Sequence, residues 1–273
     1  MSEDAHGKIM RLIREYFPWD QVGYPEVPVP DTPDAREEKV RLWLEGATQP
    51  FRSAALALIA RVSPVLQELE DVVCAREGRR LFKRFDVSAL VKSPESILEK
   101  MVREWDGKQN PMISFDRLSD KLDDVSRFRI VANFLSDVKM IANALESPYG
   151  APTGGLSPAQ IALKQEYHLV GNGFRDSIHL QPEDRKRGER CCKGVFHPRN
   201  PSFDHLKVEV QVQTLLQEAW DKKDHFLIYE PRRRGEEIDP LDTIEIFAMS
   251  ELLYVADLTF DRLKITVEGR RGK

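Results

Sequence analysis

The stretch from Lys207 to Glu230 constrains the fold most, because the spacing of its apolar residues changes within a single run. In its first half three valines alternate with one carboxylate and two amides: Val208, Val210 and Val212 with Glu209, Gln211 and Gln213. This alternation predicts a strand with one buried face and one open, polar face. From Thr214 onward the apolar residues recur at steps of four, which predicts an amphipathic helix with Thr214 as its N-cap. A sheet with one solvated face would by itself explain this strand. Whether the polar face forms a functional site therefore depends on the motifs that precede the strand in the chain.

Composition narrows the class of protein. The chain has 273 residues, of which 41% are hydrophobic and 32% charged, as in globular proteins with a sizeable core. A net charge of -4 argues against wholesale coating of nucleic acid. The three cysteines are too few for a disulfide framework, and no apolar run is long enough to cross a bilayer. The N-terminus lacks the apolar core of a signal peptide, so we expect a cytoplasmic protein with no membrane association.

The first third of the chain predicts helices and carries no evident chemistry. Residues 5–17 have the spacing of an amphipathic helix, and the five prolines in residues 18–34 favour an extended connection. Asp34 is predicted to cap the next helical region, in which residues 51–75 form a long helix. Its predicted inward positions are Leu56, Leu58, Ile59, Val62, Val65, Leu66, Leu69 and Val72. We expect this helical layer to pack on, or regulate, the part that follows.

Two lysines lie at the next strand-to-helix junction. Residues 80–93 predict a strand, and Ser93 followed by Pro94 predicts a helix that ends near Trp105. Lys92 stands at the end of the strand, and Lys100 follows eight residues later inside the helix. The N–H groups at a helix start favour anions, so the junction could meet a phosphate, although most lysines at such places are merely solvated.

The following strand begins with a carboxylate and carries two arginines. Residues 125–134 predict a strand, with a helix from Ser136 onward. Asp124 stands at the entry of this strand, and Arg127 and Arg129 share one of its faces. Such a group forms either a structural ion pair or a magnesium site beside phosphate-binding guanidinium groups.

The next part of the chain predicts loops and short strands. Residues 147–158 predict a Gly/Pro loop, followed by a strand pair at 166–170 and 174–180. Residues 184–199, called the basic segment below, contain six Lys or Arg and two acidic residues, and they lead into a short hairpin strand. A final helix is predicted over residues 239–260, before a basic tail, with apolar Leu241, Ile244, Phe247, Leu252 and Val255.

The cysteines could suggest a zinc site, but we reject this interpretation. Cys191 and Cys192 are adjacent, with His197 and His205 nearby. Adjacent cysteines lack the C-x-x-C spacing with which a zinc ion is usually held.

Four motifs in this order resemble the RelA/SpoT alarmone synthetase domain family. The family has an EIQIRT strand and then a helix with Trp, His and Tyr; the chain has EVQVQT and then Trp220, His225 and Tyr229. The family's R-x-K and its second Lys eight residues later are matched by Lys92 and Lys100. Its D-x-x-x-x-R strand appears as DVSRFR, and its NGY…SIH element as NGFRDSIH. The resemblance covers residues 80–230, and the joint spacing of four motifs is specific.

The resemblance implies an α+β fold: a mixed β-sheet of about five strands flanked by helices, as in nucleotidyltransferase-like synthetases. The synthetase domain would span residues 79–235, after a helical extension of residues 1–78. Residues 236–273 would form a C-terminal helix and basic tail.

The resemblance also implies a pyrophosphokinase, which moves the β,γ-diphosphate of ATP to the 3′-hydroxyl of GDP or GTP. The implied cofactor is Mg²⁺, and Glu209 would serve either as its second carboxylate ligand or as the base for the hydroxyl. The implied site residues are Asp124 and Glu209 for metal binding and catalysis, Lys92, Lys100 and Arg129 for ATP, and Asn172, Phe174, His179 and Gln211 for the acceptor. Phe174 replaces the family tyrosine and could still stack on a purine.

The chain departs from the family pattern in several places. Leu90 stands where the family has the Arg of R-x-K, and Gln213 where it has the Arg of EIQIRT. One extra residue, Arg175 or Asp176, separates Phe174 from the SIH triplet, and a Pro-Lys pair usual before NGY has no counterpart. These changes remove positive charge or alter the acceptor pocket.

Two other functions stay open. In the first, the acceptor is the 3′ end of tRNA, as in some small toxin members of the family, and the basic segment and tail bind RNA. In the second, the chain is a non-catalytic nucleotide-binding module, against which the presence of both Asp124 and Glu209 argues. A homo-oligomer or an antitoxin partner is compatible with any of these readings.

Overall fold

The computed structural model describes residues 5–20, 29–105, 110–118, 122–150, 155–171, 173–179, 188–233 and 236–271. Asn172, residues 21–28 of the proline-rich connection and residues 184–187 of the basic segment lie outside these ranges. Among the described residues no helix is both long and apolar enough to span a membrane.

Helices and strands alternate through most of the chain. The helices are α1 (Ala5–Tyr16), α2 (Pro33–Glu77), α3 (Pro94–Arg103), α4 (Leu135–Gly150), α5 (Pro158–Glu166), α6 (Leu215–Asp224), α7 (Glu230–Arg233) and α8 (Pro240–Arg271). A 3₁₀ turn covers Phe115–Arg117, and a π-helical turn at His225–Tyr229 joins α6 to α7. The strands are β1 (Phe82–Asp86), β2 (Ser126–Ala132), β3 (Tyr167–Leu169), β4 (Arg175–Asp176), β5 (Cys192–Pro198) and β6 (Val208–Thr214).

The strands form one mixed sheet, as predicted. Its order is β1-β2-β6-β5-β3, with β4 pairing with β5 away from this path. The central strand β6 runs parallel to β2 and antiparallel to β5. The predicted α+β fold, a mixed sheet flanked by helices, is confirmed.

The register divides the sheet into an apolar and a polar face, because directly paired residues share a face. On the apolar face Phe128 pairs with Val210, and Phe196 pairs with Val208. Helices α2 and α4 contact β2 and β6, and their buried side chains join the same core. On the other face Arg127 pairs with Glu209 and Arg129 with Gln211, so the charged side chains of two strands lie side by side.

The polar face of β6 is less open than the sequence predicted. Gln211 and Gln213 are each only 1% exposed, and Glu209 is half-buried. The reason is the central place of β6: it has a strand on both sides, and α6 folds back to contact β6 and β2. Thr214 caps α6 as predicted, accepting a hydrogen bond from the Gln217 backbone N–H.

Helix α1 ends within one residue of its prediction, whereas helix α2 is longer than predicted. Helix α2 is continuous over 45 residues, and its N-cap is Thr32, not Asp34, because the Thr32 hydroxyl accepts from the Ala35 N–H at 3.3 Å. Of the predicted inward positions, Leu58, Val62, Val65 and Leu66 are buried. Leu56 and Val72 are exposed, since they lie on the opposite side of a helix whose buried face follows Ala55, Leu58 and Val62.

Three further elements differ from the prediction. Strand β1 ends at Asp86, and Val91 makes only an isolated bridge to Ser126. Helix α5 was not predicted; it begins with a capping box in which the Ser157 hydroxyl and the Gln160 side chain bond each other's backbone N–H groups. Helix α8 extends to Arg271, and its predicted apolar positions Leu241, Ile244, Leu252 and Val255 are exposed.

Candidate active site

A cavity of about 540 Å³ opens on the polar face of the sheet. Its walls come from the β1–α3 connection, from α3, β2, β5 and β6, and from the segment running from α6 into α7. Six of the nine site residues that the resemblance implies line it: Lys92, Lys100, Asp124, Arg129, Glu209 and Gln211. They come from three separate motifs, and the fold brings them to one place.

The Asp124 carboxylate forms ion pairs with both lysines of the strand-to-helix junction. Its Oδ2 lies 2.9 Å from Lys92 Nζ and its Oδ1 lies 3.0 Å from Lys100 Nζ. The backbone fixes this arrangement, because the Lys92 N–H donates to the Val125 carbonyl at 2.9 Å and the Ser93 hydroxyl caps α3. Burial alone would raise the pKa of Asp124, but the two ammonium groups hold it below its ordinary value. Burial lowers the pKa of Lys92, although Asp124 opposes this shift.

Glu209 is held by a chain of hydrogen bonds that begins on α6. Asp221 Oδ2 lies 2.7 Å from the Arg129 guanidinium, whose Nε donates to Gln211 Oε1 at 2.9 Å. The Gln211 amide then donates from Nε2 to Glu209 Oε1 at 2.5 Å. Gln211 stands two residues after Glu209 on the same face of β6, so the period of the strand itself places the amide beside the carboxylate. This chain orients the Glu209 carboxylate toward the cavity.

Strand β5 contributes a lysine, and the residues just before it a carboxylate, that the sequence analysis did not single out. Lys193 pairs across the sheet with Gln211, and its Nζ lies 2.8 Å from Glu189 Oε2. Burial alone would lower the pKa of Lys193, but neighbouring Cys191, Glu189 and Glu209 raise this pKa above its ordinary value. Both residues lie in the basic segment, where only the pairing of β5 with β6 reveals that they face the cavity.

Arg127 also lines the cavity, and the resemblance to the family assigns it no role. It is half-buried, and its neighbour across the sheet is Glu209. Its backbone N–H donates to the Leu90 carbonyl at 3.0 Å. Within the described ranges no carboxylate lies within ion-pair distance of its guanidinium, in contrast to Arg129. The signal in the sequence was its two-residue spacing from Arg129.

The predicted acceptor residues do not all meet here. Phe174 lies on the apolar face of the sheet: a Cβ added at Gly194, which pairs with Val210, would meet the Phe174 ring at 2.7 Å. His179 is exposed and binds Asp176 at 2.7 Å. Neither residue lines the cavity, and Asn172 is outside the described residues. Their roles toward an acceptor stay predictions.

The charges of the cavity are balanced. Six Lys or Arg side chains and six Asp or Glu side chains line it: Lys92, Lys100, Arg103, Arg127, Arg129 and Lys193 against Asp124, Glu189, Glu209, Asp221, Asp224 and Glu230. Several of these cations already have an anionic partner, so an arriving phosphate would exchange one partner for another.

The donor set of the cavity is compatible with Mg²⁺. Asp124 and Glu209 offer carboxylate oxygens to one cavity, and magnesium is commonly held by one or two carboxylates together with substrate phosphates and water. The described part of the chain contains no cluster of three or more His, Cys, Asp or Glu that could hold a metal ion without such help. A metal here would therefore depend on the substrate for most of its ligands.

Cys191 and Cys192 are both buried. Burial raises the pKa of Cys192 to about 12 and that of Cys191 well above its ordinary value. Both thiols are therefore inert at neutral pH.

Comparison with known proteins identifies the fold. No protein-family model matches the chain, and no curated protein matches it by sequence. Among solved structures, small alarmone synthetase 1 from Bacillus subtilis is similar, with 20% identity over 83% of this chain and 98% of that one and a TM-score of 0.59. The same enzyme bound to its product pppGpp is similar at 19% identity, over 82% and 98% of the two chains, with a TM-score of 0.59.

A GTP pyrophosphokinase family protein from Streptococcus pneumoniae is similar to the same degree. It shares 18% identity over 84% of this chain and 96% of that one, again with a TM-score of 0.59. The chain therefore has the fold of the small alarmone synthetases.

Proposed function

We propose that the protein is a pyrophosphokinase of the RelA/SpoT type, which transfers the β,γ-diphosphate of ATP to the 3′-hydroxyl of GDP or GTP. The observation that carries this proposal is the convergence of Lys92, Lys100, Asp124, Arg129 and Glu209 on one cavity. Phosphoryl-type transfer needs cations for the donor phosphates and a carboxylate near the attacking hydroxyl, and this cavity holds both. The similarity to a synthetase bound to pppGpp supports the same acceptor class.

The proposed reaction breaks one phosphoanhydride bond and forms one phosphoester bond. The 3′-oxygen of the acceptor attacks the β-phosphorus of ATP, the bond from this phosphorus to the α,β-bridging oxygen breaks, and AMP leaves. Glu209 accepts the proton of the attacking hydroxyl. Gln211 and Arg129 keep the Glu209 carboxylate in place through the hydrogen-bond chain that ends at Asp221. Asp124 would hold Mg²⁺, which would offset the charge of the donor phosphates.

In this proposal Lys92 and Lys100 bind different anions in the absence and in the presence of ATP. Without substrate, Lys92 and Lys100 share the Asp124 carboxylate. With ATP present, Lys92, which directly precedes the N-cap of α3, and Lys100 would bind its phosphates together with the backbone N–H groups at the helix start. Arg127 is available for the same phosphates, because no described carboxylate is paired with it.

The test offers purified protein γ-labelled ATP and Mg²⁺ with GDP, GTP, AMP, ADP or deacylated tRNA, each separately. We expect label on GDP or GTP, and a loss of roughly 10²–10⁴-fold in rate for Glu209→Gln, as is usual for removal of a general base. The matched control is Glu166→Gln, which changes an exposed carboxylate paired with Arg61 and should leave the rate unchanged.

Three other outcomes would contradict parts of this proposal. Label on tRNA alone would replace the guanosine nucleotide by an RNA acceptor and turn attention to the basic segment. No transfer to any acceptor by folded protein would contradict the proposal and favour a nucleotide-binding module. Equal activity of Glu209→Gln and the unaltered protein would remove Glu209 from the mechanism.

A further inference from the structure

The polar face of the sheet continues beyond the candidate active site, toward the start of β6. Val195 of β5 pairs with Glu209 and therefore shares its face. Side chains alternate along a strand, so His197, two residues after Val195, lies on this face as well. Lys207 lies two residues before Glu209, and the register continued by one pair sets it opposite His197. The polar face thus carries two further basic side chains that do not line the cavity.

A third basic side chain joins these two from β3. His168 pairs directly with His197, and the centroids of the two imidazole rings lie 5.2 Å apart. His168 is exposed, whereas His197 and Lys207 are half-buried. Directly opposite side chains in a sheet have their Cβ atoms about 5 Å apart, so the three groups form one row across β3, β5 and β6. His168, His197 and Lys207 are called the His–Lys row below.

The charges around the His–Lys row favour a bound anion. Burial, followed by the neighbouring His168 and Lys207, lowers the pKa of His197, and Asp204 opposes this shift only in part. Lys207 Nζ lies 2.7 Å from Asp123 Oδ1, but this carboxylate is exposed, so the ion pair is weak. Basic groups this close together repel each other when charged. A bound anion would relieve this repulsion, whereas a metal ion would increase it.

The neighbouring row on the same face holds the Glu209 carboxylate and two apolar side chains. Val195 lies beside Glu209, and the Val170 N–H donates to the Val195 carbonyl at 2.8 Å. Val170 follows His168 by two residues and is 38% exposed. Two residues along a strand span about 7 Å, which separates this row from the His–Lys row. A ribose holds its 3′-oxygen and its 5′-phosphate at opposite ends, a comparable distance apart.

We propose that His168, His197 and Lys207 bind the 5′-phosphates of the acceptor nucleotide and so select a nucleoside di- or triphosphate over an unphosphorylated nucleoside. With the 3′-oxygen at Glu209, the ribose lies over the two valines and the 5′-phosphates reach the His–Lys row. Because this assignment takes Glu209 as the group that meets the 3′-hydroxyl, it rests on the proposed function. ATP meets Glu209 from the cavity, and the acceptor meets it from the His–Lys row. The row lies outside the four motifs of the family resemblance.

The first test measures binding to the full chain without ATP, from the NMR signals of its imidazole rings. The chain has six histidines, so single His→Gln variants can assign the signals. We expect GTP to shift the signals of His168 and His197, and guanosine, which has no phosphate, to leave them in place. His225 lines the cavity, so its signal reports nucleotide bound there. Exposed His6 on α1 is the control whose signal should not move.

Steady-state kinetics separate the acceptor from the donor. Lys207→Met and His197→Gln should each raise the KM for GTP about tenfold, because a charge-assisted hydrogen bond to phosphate is lost. The KM for ATP should stay within about twofold, which a general loss of structure would not allow. Asp123→Asn removes the carboxylate that competes for Lys207 and should lower the KM for GTP. Lys83→Met, which changes an exposed lysine on β1, is the control.

The outcomes distinguish a failure of this phosphate site from a failure of the proposed function. Transfer to GTP with an unchanged KM in both Lys207→Met and His197→Gln would overturn the phosphate site and leave the transferase in place. Equal shifts of the His168 and His197 signals by guanosine and GTP, or a shift of the His225 signal alone, would also overturn it. Shifts by GTP in a protein that transfers nothing would support the phosphate site and contradict the proposed function.

Discussion

At the scale of single residues, the cavity contains cations to which the family motifs assign no role, among them Arg127. The resemblance calls for an arginine at position 90, where the chain has Leu90, which is 4% exposed and faces the core. Arg127 lies next to this position, since its backbone N–H bonds the Leu90 carbonyl, and its guanidinium lines the cavity. We infer that Arg127 provides the guanidinium that position 90 lacks.

The prediction from this inference concerns ATP. Arg127→Met should raise the KM for ATP by roughly 10–100-fold with a smaller change in kcat, because a charge-assisted hydrogen bond to phosphate is lost in both ground and transition states. Steady-state kinetics with varied ATP would measure both constants. Arg61→Met, which changes an exposed arginine paired with Glu166, is the control. An unchanged KM for ATP would mean that Arg127 does not reach the phosphates.

At the scale of elements, Thr214 joins a strand, a helix and the C-terminal helix. It ends β6, caps α6 through a bond from the Gln217 N–H at 3.2 Å, and donates to Asp257 of α8 at 2.6 Å. Thr214 is only 1% exposed, so both bonds are protected from water. One side chain therefore fixes the relative position of three elements next to Glu209.

Loss of this hydroxyl should weaken the whole fold. Thr214→Val keeps the shape but removes the cap and leaves Asp257 with one hydrogen bond fewer. We expect the free energy of unfolding to fall by about 2–4 kcal/mol, the sum of a lost cap and an under-satisfied buried carboxylate. Urea unfolding measures it, with Thr214→Ser, which retains the hydroxyl, as the control near the unaltered value. A loss below about 0.5 kcal/mol would show that the junction is not structurally important.

Asp257 predicts a pH dependence. Burial raises its pKa, and the hydrogen bonds from Thr214 and Gln217 only partly oppose this shift. Between its unfolded pKa, about 3.9, and its higher native pKa, the native state binds more protons, so stability falls as the pH rises through this window. Asp257→Asn removes this contribution. Its stability relative to the unaltered protein should increase as the pH rises from about 4 and then level off above the native pKa.

Urea unfolding at a series of pH values checks this prediction. A stability difference between the two proteins that does not change with pH would contradict it, because the carboxyl would then titrate alike in the native and unfolded states.

At the scale of the whole molecule, a buried ion pair joins the end of helix α2 to helix α4. Arg79, just after α2, binds both oxygens of Asp137 at the start of α4, at 2.8 and 2.9 Å. From α8, Glu268 approaches Arg79 at 3.4 Å and Lys264 approaches Asp137 at 3.8 Å. The hydrophobic core is likewise continuous from Leu12 to Val212.

Breaking this pair should be costly. Arg79→Met leaves Asp137, which has no exposed surface, without its main partner, and we expect a loss of about 3–5 kcal/mol in the free energy of unfolding. The double variant with Asp137→Asn should recover part of this loss, because no buried charge remains unpaired. Denaturation by urea, followed by circular dichroism, would measure both. Equal stability of the single variant and the unaltered protein would contradict the prediction.

Much of the local structure could be predicted from the sequence. The change of period at Thr214, the cap at Ser93 and the apolar spacing of residues 5–17 are local signals, and the elements that they predict are present. The motif residues Lys92, Lys100, Asp124, Arg129 and Glu209 could also be selected from spacing and resemblance, and they line one cavity. Local signals suffice for these features because caps and periodicity act within one or two turns of chain.

Only the tertiary structure decided what each face meets. The period of α8 identifies an apolar stripe, but only its packing shows that the polar side turns inward and leaves Leu252 exposed. The alternation in β6 identifies two faces, but only its central place in the sheet buries Gln211 and Gln213. Likewise, only the pairing of β5 with β6 brings Lys193 to the cavity and places Phe174 on the other side. Periodicity specifies that an element has two different faces, whereas long-range pairing determines their neighbours.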